Sequence, residues 1–77
     1  MTRLDLAIRY HPIYEDDALA LARRLFAQFD EAIDSLVLTP IDEDDFALFL
    51  NGERVHSQRE SGSAPRVADV LEAMRNE

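Results

Sequence analysis

Between residues 4 and 39 the apolar positions change their period twice, and those changes dictate the first half of the fold. Leu4, Leu6, Ile8 and Tyr10 alternate with Asp5, Ala7 and Arg9. A period of two belongs to a strand with one apolar face. His11-Pro12 ends it, because proline lacks a ladder donor and holds the residue before it extended. From residue 13 or 14 to about residue 29, Ala18, Leu21, Ala22, Leu25 and Phe29 recur at steps of three and four, with Leu19 and Phe26 widening the stripe. That spacing predicts an amphipathic helix. Glu15, Asp16 and Asp17 fill its first turn, where carboxylates offset the positive end of the helix dipole. Residues 30–32 close the helix or begin the turn out of it. Residues 33–39 are again a strand, centred on Leu36, Val37 and Leu38 and stopped by Pro40. Strand, helix and strand in direct succession predict a right-handed crossover with parallel strands.

The second half reads as a hairpin and a last helix. Phe46, Leu48 and Leu50 alternate with Ala47 and Phe49. Asn51-Gly52 follows, a strong hairpin signal because both central residues of a type I′ turn need φ above zero. Residues 53–58 are the return strand, and its polarity suits an edge position that must resist mispairing. Residues 59–64 form a Gly/Ser loop, and Pro65 fits the first helical position with Ser63 or Ala64 as cap. Val67, Val70, Leu71 and Met74 mark the buried stripe of a helix ending near Arg75. The order is β-α-β-β-β-α, one domain over residues 1–77 with no repeat or linker. Four strands in a mixed sheet with two helices make an α/β sandwich of thioredoxin-like type, for which α+β is nearly as apt a description.

Composition narrows function by exclusion. The chain has no Cys, which removes disulfides, thiolate metal sites and thiol redox chemistry of its own. Eight Arg and no Lys stand against sixteen acids, a formal charge of −8. Such a chain does not offer the cationic surface that nucleic-acid backbones or anionic lipids require. A soluble, cytoplasmic domain with neither nucleic-acid nor membrane partner is the expectation. At 77 residues its core is small, so association with a protein partner or a second copy is a natural supplement.

A few side chains merit separate weighing. His11 falls after a strand and before a helix, as a base or ligand would, yet it stands without a nucleophile or second ligand beside it, so the plainer reading is a polar loop residue. Tyr14 offers a hydroxyl at the helix start, and Tyr10 belongs to the core or its rim. Asp42, Glu43, Asp44 and Asp45 have the carboxylate density of a calcium loop but neither its alternation nor its glycine, which leaves a solvated turn. With Glu15, Asp16 and Asp17 they would form an acidic patch for a basic partner. His56 is expected to be exposed on the edge strand. Ala7, Val37 and Phe49 point away from the face of Leu6, Leu38 and Leu48, so Val37 and Phe49 are interface candidates if both helices lie on one side. No metal site, catalytic residue or cofactor is assigned.

In order and spacing the fragments resemble the Rdx family, the selenoprotein W/T/H-related group of small thioredoxin-like proteins. The resemblance runs from Leu4 to Arg75. It rests on Tyr10 closing the first strand, on Leu36-Val37-Leu38-Thr39-Pro40, on Phe46-Ala47-Leu48-Phe49-Leu50-Asn51-Gly52, and on Arg59, Gly62 and Pro65 before the last helix. The family carries Cys-x-x-Cys, or selenocysteine in place of one Cys, directly after its first strand. Here those positions hold His11, Pro12, Ile13 and Tyr14. Imidazole and phenol cannot form a mixed disulfide, so the resemblance implies the scaffold of a redox protein without its sulfur. It further implies a cleft around Tyr10, Gly62 and Pro65 that serves binding. Two alternatives remain: a redox role exercised through a partner's thiols, and a small dimeric structural protein.

Overall fold

The computed structural model describes residues 3–75. The strand β1 (Leu4–Tyr10) leads through a 3₁₀ turn (Pro12–Tyr14) into the helix α1 (Glu15–Phe29). A second 3₁₀ turn (Asp30–Ala32) enters β2 (Ile33–Pro40), and β3 (Phe46–Leu50) and β4 (Glu53–Ser57) follow. A short helix α2 (Gln58–Ser61) and the last helix α3 (Val67–Arg75) complete the chain. The sheet order is β2-β1-β3-β4. β1 pairs parallel with β2 and antiparallel with β3, and β3 pairs antiparallel with β4. No helix among the described residues is long and apolar enough to cross a membrane.

Alternation decides which face is buried. Leu4, Leu6, Ile8 and Tyr10 of β1 join Phe46, Leu48 and Leu50 of β3 in one core, closed by Ala18, Leu21, Ala22 and Leu25 of α1 and Val70 of α3. Both long helices therefore cover the same face, and the other face of the sheet is open. Asn51 and Gly52 take φ of 50° and 87°, as a type I′ turn requires. Asn51 also extends the β1 ladder: its N–H donates to the Asp5 carbonyl at 2.8 Å, and its side-chain oxygen accepts the Asp5 N–H at 3.0 Å.

Four expectations need correction. Gln58 does not continue β4, and residues 58–61 are a helical turn rather than loop. Pro65 does not open the last helix. The Asp69 carboxylate accepts the Arg66 N–H at 2.7 Å and the Asp69 N–H returns to the Arg66 carbonyl at 3.0 Å, which makes Arg66 the cap and leaves Pro65 buried ahead of it. Leu19, Phe26 and Leu71 are exposed rather than part of the buried stripes, because one sheet face is too narrow to cover the flanks of both helices. His56 is half-buried. A β-bulge between the pairs Leu48–His56 and Phe49–Arg54 brings Val55 and His56 together under α3 instead of on opposite faces.

Candidate functional site

The turn after β1 is tied to the loop between β2 and β3. His11 is extended (φ −72°, ψ 143°), and its Nδ1 accepts the Ile13 N–H at 3.2 Å, capping the Pro12–Tyr14 turn. With Nδ1 as acceptor, the neutral ring carries its proton on Nε2. The backbone N–H of His11 donates to the Asp45 carbonyl at 3.0 Å. One residue short of α1, the Tyr14 hydroxyl donates to Asp44 Oδ1 at 2.6 Å, and its ring stacks on Phe46 with centroids 5.9 Å apart. The hydrogen bond to Asp44 raises the Tyr14 phenol above its ordinary value. Desolvation and the charges of Asp44 and Asp45 add to the rise, and a hydrogen bond with Gln58 opposes it. The phenol is thus held as a neutral donor. Its contribution to stability is present below the ordinary tyrosine range and is lost as pH rises through the raised value.

Asp45 is the hub beneath this turn. Its carboxylate accepts the Phe46 N–H at 2.8 Å, the Ser57 hydroxyl at 3.0 and 3.1 Å, and the Arg59 N–H at 3.1 Å. Partial burial raises its pKa, but the bonds from Arg59, Phe46 and Ser57, with the charge of Arg54, outweigh that and leave it lowered. The Arg59 N–H is one of the unsatisfied donors in the first turn of α2, so Asp45 caps α2 from another part of the chain. Ser57, the local cap residue, donates to Asp45 instead of capping.

A second polar cluster holds the far end of the same segment. His56 Nε2 lies 2.7 Å from the Ser63 carbonyl and 3.0 Å from Ser61 Oγ, and Nδ1 lies 3.6 Å from the Asp69 carboxylate. Ser, His and Asp here have the composition of a hydrolytic triad but not its wiring. A ring nitrogen 2.7 Å from a carbonyl must carry a proton, and the Ser61 hydroxyl donates to the Ser57 carbonyl at 2.8 Å. The cluster is a clasp of β4, α2 and α3, not a base aimed at a nucleophile.

Among the residues singled out from sequence, His11, Pro12, Ile13 and Tyr14 share one turn with Asp44 and Asp45, and Ile13 is exposed in its middle. Tyr10 is buried in the core, Pro65 is buried, and Gly62 is the exposed left-handed cap that ends α2. Val37, Ala7, Phe49 and Arg54 form a row across all four strands of the open face. Val37 is exposed, whereas Phe49 is half-buried and lines a cavity of about 140 Å³ with Arg9, Ile41 and Arg54. Two cavities of about 360 and 300 Å³ lie along β4, one under α3 and one beside α2. His11 and His56 belong to different clusters, and no group of three or more His, Cys, Asp or Glu among the described residues is placed to hold a metal ion. Asp45 was hidden inside its acid run. The helical turn it caps did carry a local signal, the capping-box spacing of Ser57 and Glu60.

A parallel strand–helix–strand unit extended by an antiparallel hairpin, with a polar turn between β1 and α1, defines a thioredoxin-like protein. Within that class, the sequence matches the Rdx family over residues 10–76, and the chain belongs to that family. The crystal structure of a selenoprotein W-related protein from Vibrio cholerae superposes with a TM-score of 0.83 at 21% identity, covering 97% of this chain and 96% of that one. A protein from Bordetella parapertussis gives 0.82 at 20% identity, with 96% of each chain covered. No curated protein matches the sequence.

Proposed function

We propose that this Rdx-family chain is a non-catalytic binding module whose working end is the turn at His11–Tyr14 together with the loop at residues 42–45. The observation that carries this reading is the engagement of both side chains standing where the family resemblance places sulfur. His11 Nδ1 is consumed as a cap acceptor, and the Tyr14 hydroxyl is consumed by Asp44. Neither faces a nucleophile, and the chain has no thiol. The Tyr14–Asp44 bond sets the acids of the first turn of α1 next to the acids of the loop, with exposed Ile13 beside them. An apolar side chain among carboxylates suits a basic protein segment with an apolar residue.

The test is calorimetric titration with a peptide of alternating Arg and Leu. Binding is expected to weaken with salt and to be lost in a variant carrying Asp42→Asn, Glu43→Gln and Asp44→Asn. A charge-matched control carrying Glu31→Gln, Glu53→Gln and Glu72→Gln should keep it. Equal losses in both variants would reduce the effect to net charge and overturn the reading. So would catalytic reduction of insulin by the isolated chain with dithiothreitol as reductant.

A further inference from the structure

The two free edges of the sheet are built differently. β4 is short, carries the bulge, presents Glu53 and Arg54, and runs into α2, whose Glu60 returns to Arg54 at 2.7 Å. Those are the devices that keep an edge from pairing. β2 confines such features to its ends, a register shift and a charge at Asp34 and a proline at position 40. It is eight residues long, pairs with β1 without interruption from Ser35 to Pro40, and is uncharged from residue 35 to residue 41. Apolar side chains flank it on both sides of the sheet. Val37, 52% exposed, stands on the open face. On the helical face are Leu19 and Phe26, 44% and 50% exposed. These two are seven residues apart and so share one flank of α1, rotated by about 100° from the core stripe. In a right-handed crossover that flank is the outer one, on the side of β2 away from β1.

We infer that a second copy of this chain occupies the β2 edge, the two β2 strands pairing antiparallel about a two-fold axis into one eight-stranded sheet. Symmetry favours a second copy as the occupant. The fifteen residues of α1 and the eight of β2 span similar lengths, roughly 22 and 26 Å, and run in opposite directions. Their midpoints, Ala22 and the Leu36–Val37 bond, therefore lie at one level. Leu19 and Phe26 fall three residues before Ala22 and four after it. A two-fold axis normal to the sheet, beside β2 at Val37, carries Leu19 of one copy to within about a helical turn of the level of the partner's Phe26. On the open face it sets Val37 beside its own equivalent. No like charges meet along the uncharged stretch, and Asp34 at its end is held by Arg3 at 2.6 Å. The contact is isologous, so it closes at two copies.

The test is sedimentation equilibrium over a wide concentration range. The wild type is expected to dissociate from dimer to monomer on dilution. Phe26→Lys with Val37→Lys should be monomeric throughout, because the ammonium at position 37 would face its own copy and the one at position 26 would be pressed against the partner's Leu19. Both sites are exposed, so the far-ultraviolet circular dichroism should be unchanged. Phe49→Glu, on the open face but off this edge, should still dimerise. Independently of any variant, exchange of those β2 amides among residues 35–39 that point away from β1 should slow as wild-type concentration rises. A wild type monomeric at every concentration, a dimer surviving the double change, or a dimer lost with Phe49→Glu would overturn the inference.

Discussion

One carboxylate, that of Asp45, joins the strand β3, the end of β4 and the first turn of α2. Its pKa is lowered, so its stabilising effect is full above the ordinary aspartate range and is lost as pH falls through the depressed value. Asp45→Asn keeps the shape and one acceptor but removes the charge. It is expected to cost about 1–2 kcal/mol near neutral pH, the lower end of charged hydrogen bonds because solvent screens part of the site. Urea unfolding should show that difference near pH 7 and its shrinkage as pH falls below the ordinary aspartate range, measured on both proteins. A constant difference across that range would mean that the charge is not what matters. Nothing local distinguishes Asp45 from Asp42, Glu43 and Asp44, since Ser57 and Arg59 lie twelve and fourteen residues away. The turn at His11 was legible for the opposite reason, because a proline and two changes of period mark it within a few residues.

At the scale of elements, alternation and helical spacing located every strand and both long helices. The errors sit where tertiary packing selects between locally equal options. Leu19 and Phe26 satisfy the apolar pattern of α1 as well as Leu21 does, and only the width of the sheet decides which are covered. The bulge that turns His56 inward depends on the register against β3, which β4 does not encode alone. The exit of α1 is similarly silent in sequence. Asp30 adopts φ 40°, a conformation that side chains other than glycine resist. Its backbone N–H is already used to close the helix on the Phe26 carbonyl, so the conformation is imposed by the need to turn into β2. Asp30→Gly is expected to raise stability by about 1 kcal/mol, read as a higher urea midpoint at unchanged slope. A lower midpoint would show that the side chain contributes more than its strain costs.

For the whole molecule, a formal charge of −8 on 77 residues sets the balance between compactness and self-repulsion. Three ion pairs between Arg and carboxylate among the described residues are all exposed, and such pairs contribute little. Repulsion among the excess acids is the larger effect, so added sodium chloride should raise the melting temperature by screening it. A melting temperature that falls with salt would mean that the pairs prevail. The sheet order carries a further consequence, for the way such a chain comes off the ribosome. β1 is made first, yet both of its neighbours, β2 and β3, come from later sequence. The edge that receives β3 stays bare until residues as far along as Leu50 have been synthesised. The sheet around β1 cannot be completed until then. Its completion comes late, when the opening segment finally has a companion on each side.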